Sequence, residues 1–256
     1  MVYQVMVNRR PGIYLLPNLF TTSALFAGFY SIIAAINDRF EAAAIAVFVA
    51  MIMDGMDGRI ARLTNTQSDF GTQYDSLSDL ISFGLAPALV IYQWSLFNLG
   101  KVGWSAAFIY TAAAALRLAR FNTQVTNEDK RYFQGLASPA AAALIAGIVW
   151  LGESIGIPDE KANLLITLPV TVISGILMVS NIRYHSFKQI DLKGKVPFVS
   201  ILVVVMVFFL FSSNPPLILT SVAFCYACSG PVFTLIMIRR HRYMRRQSDS
   251  EVDPEN

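Results

Sequence analysis

Charge is what this chain has least of. Asp, Glu, Lys and Arg make up 14% of its 256 residues, while 55% are hydrophobic. Soluble domains carry about 25% charged residues, so this composition excludes an ordinary soluble globule and places the chain in the membrane class. The mean hydropathy, +0.51, agrees. Metal-binding nitrogen and sulfur are equally scarce: two histidines and two cysteines, Cys225 and Cys228. No second ligand pair accompanies that Cys-x2-Cys, so both are expected as small buried hydrophobes in a span. No cleavable leader is expected either. Arg9-Arg10 is followed by Pro11-Gly12, with no apolar core before and no small-residue cleavage site after, so the first span is expected to remain as an anchor. The net charge of +3 requires no nucleic acid; basic residues flanking spans on the side of anionic lipid account for it.

Long apolar runs fill the rest. Residues 1–17 read as an N-terminal interfacial segment, 18–238 as a transmembrane domain, and 239–256 as a charged cytoplasmic tail expected to be disordered. Eight spans are expected, near 19–36, 42–63, 72–99, 104–121, 139–151, 164–181, 198–211 and 217–238. With both termini in the cytoplasm, all 20 Lys and Arg fall inside except Arg39, Lys101 and Lys161, as the positive-inside bias requires. The fold class is therefore an all-α polytopic helical bundle of the cytoplasmic membrane.

Against this background four acids stand together, in Asp54-Gly-Met-Asp57-Gly58-Arg-Ile-Ala61-Arg62 and Gly71-Thr-Gln-Tyr-Asp75-Ser-Leu-Ser-Asp79. At about 100° per residue, Asp54, Asp57, Gly58 and Ala61 share an arc of about 100°. If the second stretch is helical, Gly71, Asp75 and Asp79 share a face at i, i+4, i+8. Acids this close repel, and a cation neutralises them. Their hard oxygens, with no His or Cys nearby, favour Mg²⁺ or Mn²⁺ over zinc. Ionisable residues within spans face a protein interior or a water-filled cavity. Pairing with Arg59, Arg62, Arg117 and Arg120 is the structural alternative, and a cation-coupled transporter is the rival from another class. Small residues beside the acids argue for a ligand: Gly58 and Ala61 leave room for a planar nucleotide near the helix backbone. Asp54 would lie roughly 20 Å along the second span in a core about 30 Å thick, so the site opens toward the cytoplasm.

The pattern Asp-x2-Asp-Gly-x2-Ala-Arg-x8-Gly-x3-Asp-x3-Asp resembles the signature of the CDP-alcohol phosphotransferases, which move a phosphatidyl or similar group from a CDP-linked donor to an alcohol. Every signature position is filled. The resemblance implies that Asp54, Asp57, Asp75 and Asp79 hold a divalent metal pair and that Asp79 also serves as base for the attacking hydroxyl. It implies a CDP-binding surface of Gly58, Ala61, Arg62 and Gly71, with Asn18 meeting the nucleotide, and a homodimer. A ligating carboxylate is a weak base, so Asp79 is expected to be the least tightly ligated of the four.

The acceptor is read from two features. Leu80 follows the fourth Asp, where relatives using phosphorylated alcohols commonly carry Lys or Arg. Four segments also resemble the membrane-embedded phosphatidylserine synthases: Leu16-Pro-Asn-Leu-Phe-Thr-Thr22, residues 73–87, Ala115-Leu-Arg-Leu-Ala-Arg-Phe-Asn122 and Phe133-Gln-Gly-Leu-Ala-Ser-Pro-Ala140. The last departs at Ala137-Ser138. This implies CDP-diacylglycerol and L-serine as substrates, with transfer to glycerol 3-phosphate or another alcohol as the alternative. Serine is a zwitterion and needs partners for both charges. Arg117, Arg120 and Asn122 are candidates, although the arginines equally suit snorkelling at the membrane face. Ser76 and Ser78 are either substrate contacts or helix-packing residues. Runs of alanine such as 112–115 and 140–143 suit close helix packing or a subunit contact.

Overall fold

The computed structural model describes residues 15–64, 66–123, 132–156, 160–185 and 213–251. The first two helices, α1 (Leu15–Ile36) and α2 (Phe40–Thr64), form a tight hairpin. The turn is short because Asp38 adopts a left-handed backbone, φ 56°. This lets the N–H groups of Asp38 and Arg39 return to the carbonyls of Ala35 and Ala34 at 3.1 and 2.9 Å, closing the helix end. Ala27, Ala34 and Ala35 of α1 and Ala43, Ala44, Val47 and Ala50 of α2 are all buried. Small side chains let the backbones approach, and Ser31 reaches across to the Ala43 carbonyl at 2.8 Å.

The third helix, α3 (Asp69–Leu99), is one long rod. Ser68 caps its start by accepting from the Gly71 N–H at 3.1 Å. Beyond Asp79 the rod widens into a π turn at Leu80–Leu85, returns to α at Ala86–Ile91, widens again at Tyr92–Leu96 and closes with a 3₁₀ turn. Pro87 explains the first interruption, because it has no N–H to return to the preceding turn. The carbonyls this releases are satisfied from the next helix, α4 (Lys101–Thr123). Tyr110 donates to the Phe83 carbonyl at 3.1 Å, and Thr111 to that of Gly84 at 3.4 Å. Inside a bilayer such substitution is obligatory, since water cannot supply the missing bond.

On its α1 side the rod is sewn down by serines one turn apart. Ser78 donates to the Thr21 carbonyl at 3.1 Å and Ser82 to that of Ala24 at 3.0 Å. Gly28 faces Ser82 so closely that a Cβ there would strike its backbone.

The remaining helices are α5 (Ser138–Ile155), α6 (Glu160–Val179) and α7 (Pro215–Glu251). Helix α5 packs on α2 and α7, and α6 on α4. A two-stranded antiparallel ribbon, β1 (Tyr132–Gln134) with β2 (Arg183–His185), clasps one end of the bundle, with Phe133 opposite Tyr184. Tyr184 is buried under α7, donating to the Ala227 carbonyl at 3.0 Å; Gly230 leaves room for its ring. At the other end, Trp94 and Trp150 donate to Glu153 and Glu41 at 2.7 and 3.2 Å.

Leu16–Ile36, Asp69–Leu99, Lys101–Thr123, Ser138–Ile155 and Pro215–Thr234 are long and apolar enough to cross a membrane, and Leu164–Val179 is a shorter apolar helix. Large apolar side chains such as Phe26, Phe108, Leu165 and Ile166 point outward, as a hydrocarbon solvent allows. Helix α2 has the length of a span but carries the acids. The polytopic helical bundle read from the sequence is thus present, with the small ribbon as an addition.

Several expectations shift. The expected span at 198–211 and residues 1–14 of the interfacial segment lie outside the described residues, while Leu15–Pro17 already belong to α1. Helix α7 does not stop near Ile238 but continues to Glu251. The tail expected to be disordered is helical that far, in keeping with the strong helix propensity of arginine and glutamine. Cys225 and Cys228, expected to be buried, are exposed on α7. On a helix facing lipid, exposure is compatible with a small apolar residue.

Candidate functional site

Asp54 and Asp57 lie on α2, and Asp75 and Asp79 on the α-helical start of α3. The chain reverses between them through Thr66–Ser68, which brings the two helical faces together. One carboxylate oxygen from each of Asp54, Asp57 and Asp75 lies within 4.8 Å of the others. Asp57 is the most enclosed, at 6% exposure, and accepts from the Thr21 hydroxyl at 2.7 Å. Asp75 Oδ1 is buried with no hydrogen-bond partner. Asp79 stands outside this trio, its carboxyl group meeting that of Asp54 from one turn further along α3.

Three converging carboxylates, one held by a neighbouring hydroxyl and another with a buried oxygen that has no partner, fit a divalent cation. A buried acceptor left unmatched is unfavourable, and a metal ion would satisfy it.

A cavity of ≈ 320 Å³ adjoins the trio. Of the residues singled out from sequence, Asn18, Asp57, Gly58, Ala61, Gly71 and Asp75 line it. Pro17, Thr21, Thr66, Gln67, Ser68 and Thr72 complete the wall. Gly58 has open space where a Cβ would stand, whereas a Cβ on Gly71 would approach Ser68 and Asn18. Arg62 is not in the wall: its Nε donates to the Gly58 carbonyl at 2.9 Å along its own helix.

The acceptor candidates separate. Ser76 and Asn122 bond to each other, the Asn122 Nδ2 donating at 3.0 Å. Ser78 is buried against α1, a packing role. Arg117 reaches from α4 to Ser138 at the start of α5, Nη1 to Oγ at 2.9 Å. Its charge interacts with Asp79 and with Tyr226, while Arg120 is half-buried one turn further along α4. Sequence reasoning missed Thr21, Ser138 and Tyr226 as site residues. Thr21 was within sight, three residues after Asn18 in a segment already singled out. Ser138 and Tyr226 come from α5 and α7, and no local spacing links them to the acids.

A membrane helical bundle with an acidic, cavity-lining centre on two facing helices fits a metal-dependent membrane transferase. The chain belongs to the CDP-alcohol phosphatidyltransferase family, whose model matches residues 14–179. Among similar proteins is the CDP-diacylglycerol–serine O-phosphatidyltransferase of Helicobacter pylori (strain ATCC 700392 / 26695). It is 43% identical over 178 residues, 70% of this chain and 75% of that protein. The protein of the same name from Mycobacterium leprae (strain TN) is 33% identical over 180 residues, 68% of this chain and 59% of its own length. That of Methanocaldococcus jannaschii is 37% identical over 141 residues, 55% and 62% respectively.

Proposed function

We propose that this protein transfers the phosphatidyl group of CDP-diacylglycerol to the hydroxyl of L-serine, releasing CMP. The observation that carries the reading is the cavity whose wall combines Asp57 and Asp75 with Asn18, Gly58, Ala61 and Gly71. The names of the similar proteins supply the same donor and acceptor.

In this reading Asp54, Asp57 and Asp75, with Asp79 beside them, hold two divalent ions, Mg²⁺ or Mn²⁺. When bound, such ions neutralise the diphosphate and stabilise the departing nucleotide. Gly58 and Ala61 let cytidine lie against α2, and Asn18 and Gly71 bound it from the other side. The serine hydroxyl attacks the β-phosphorus in line, its proton passes to Asp79, and the bond to CMP breaks. Standing outside the oxygen trio suits Asp79 to that task, since a carboxylate less committed to a cation is the better base. Thr21 fixes Asp57 and so the shape of the centre.

The same reading sets the enzyme in the cytoplasmic membrane, as a homodimer, with both termini and the site on the cytoplasmic side. Basic residues on that side support the orientation, and the homodimer follows the family resemblance.

Purified protein with labelled CDP-diacylglycerol tests the proposal. Release of CMP that requires both a divalent ion and L-serine is expected. Release with glycerol 3-phosphate instead overturns the acceptor, and no release with any alcohol leaves a cation pathway as the function of the acids.

A further inference from the structure

The turn between α2 and α3 forms part of the cavity wall, and its backbone is pinned on both sides of Gln67. Thr66 is buried; its N–H returns to the Ala61 carbonyl at 3.1 Å, and its hydroxyl lies 2.7 Å from that of Thr64. Thr64 gives its own hydrogen to the Ile60 carbonyl at 2.7 Å, so Thr66 is the donor of that pair. On the other side, the Ser68 carbonyl receives the N–H and the hydroxyl of Thr72 at 3.1 and 3.2 Å. The hydroxyls of the wall are thus engaged within the protein: Thr21 with Asp57, Thr66 with Thr64, and Ser68 with the Gly71 N–H. Two carboxamides on the same wall are not. Neither Asn18 nor Gln67 has a side-chain hydrogen bond to another described residue.

A carboxamide carries a donor and an acceptor side by side in one plane. A 4-aminopyrimidine offers the complement, since its ring N3 accepts while its amino group donates. Asn and Gln pair in this way with adenine, which presents a similar neighbouring donor and acceptor. Position brings Gln67 to that edge. From Asp57 to the end of α2 at Thr64 is about 10 Å of helix. A nucleoside diphosphate anchored at the acids and laid over Gly58 and Ala61 therefore ends with its base at the turn. Resting on the reading of the preceding section, we infer that Gln67 reads the donor's base: Nε2 donates to N3, Oε1 accepts from the 4-amino group, and that amino group becomes a determinant of donor affinity. Asn18, whose Oδ1 lies near Gly71 on the facing wall, bounds the base from the other side. Because Thr66 and Ser68 hold the turn before the ligand arrives, binding orders a single side chain rather than a loop.

The 5′-diphosphate of pyrimidin-2-one riboside keeps the ring, N3, ribose and diphosphate of CDP and lacks only the amino group, so it isolates the contact. Calorimetric titration of full-length protein in lipid nanodiscs with Mg²⁺ compares the two ligands in wild type, Gln67→Leu and Gln67→Glu. Wild type is expected to favour CDP by roughly 3- to 10-fold, the scale of one hydrogen bond at an accessible site. Gln67→Leu weakens CDP by roughly 10-fold and brings the two ligands within about twofold of each other. Gln67→Glu keeps an acceptor for the amino group but sets an anion against N3; it weakens both ligands and retains the preference for CDP. Gln67 is exposed, so both variants keep the wild-type thermal midpoint. Equal weakening of both ligands in Gln67→Leu makes the side chain only a piece of wall and overturns the inference alone. Unchanged affinities in Gln67→Leu, or a wild type with no preference for CDP, do the same. Wild-type protein that binds neither ligand overturns the functional reading, and this inference with it.

Discussion

Thr21 of α1 gives its hydroxyl hydrogen to Asp57 of α2 across 2.7 Å, and so ties the first helix to the clustered acids. The same oxygen lies 3.2 Å from the Pro17 carbonyl, but a hydroxyl has one hydrogen to give. An outer partner of this kind orients a ligand, and its loss costs about 10–100-fold in metal affinity. Thr21→Val is therefore expected to weaken Mn²⁺ binding by about tenfold or more, with Thr21→Ser close to wild type. Electron paramagnetic resonance of free Mn²⁺ reads this without any turnover, and equal affinities would remove Thr21 from the site.

The proposed reaction gives Asp79 a role in chemistry separate from nucleotide binding. Asp79→Asn is expected to retain CDP binding within a few-fold while turnover falls by on the order of 10²-fold or more, the size of a lost general base. Calorimetric titration with CDP beside a CMP-release assay makes the comparison. Parallel loss of both would mean that Asp79 acts chiefly as a ligand.

Gly58 borders the cavity with nothing where its Cβ would stand. A Cβ there meets no neighbouring atom within 4 Å, so the thermal midpoint of Gly58→Val should hold, while its side chain enters the space assigned to the nucleotide. A tenfold or greater rise in KM for CDP-diacylglycerol is expected, on the order of the penalty for a misfitted pocket. A rise in unfolding sensitivity without a KM change would place the nucleotide elsewhere.

Tyr110 supplies the hydrogen bond to the Phe83 carbonyl beside the π turn. Tyr110→Phe leaves that buried carbonyl unmatched and should cost about 1–3 kcal/mol of stability. Denaturant-induced unfolding in mixed micelles measures it. Metal affinity should stay at the wild-type value, since Tyr110 touches none of the acids.

The acids were legible in sequence because their spacing is the period of the helix: Asp54 with Asp57, and Asp75 with Asp79, each share a face whatever surrounds them. The bundle was legible because a bilayer demands long apolar runs. What joins one helix to another was not. Thr21 and Asp57 are 36 positions apart, and no periodicity connects them. Arg117 stood level with Arg120 in sequence, and Ser138 with its buried surroundings was needed to distinguish it. Helix α7 outran its expected end because charge was read as loop, although arginine favours helix. The cysteines were misplaced for a related reason. In a membrane bundle an apolar side chain has two comfortable environments, and composition does not say which.

The π turn at Leu80–Leu85 amounts to one residue looped into an otherwise regular coil. Winding the turn back to regular α with that residue kept would rotate everything beyond by about 100° relative to Asp75 and Asp79. Either those acids would turn away from α2, or Pro87 and the stretch toward Leu99 would turn away from α4. The bulge acts as a phase adjuster between two halves of one rod, each registered to a different neighbour. A one-residue deletion in that window should therefore be better tolerated than one elsewhere between Asp79 and Leu99, where it would break the register.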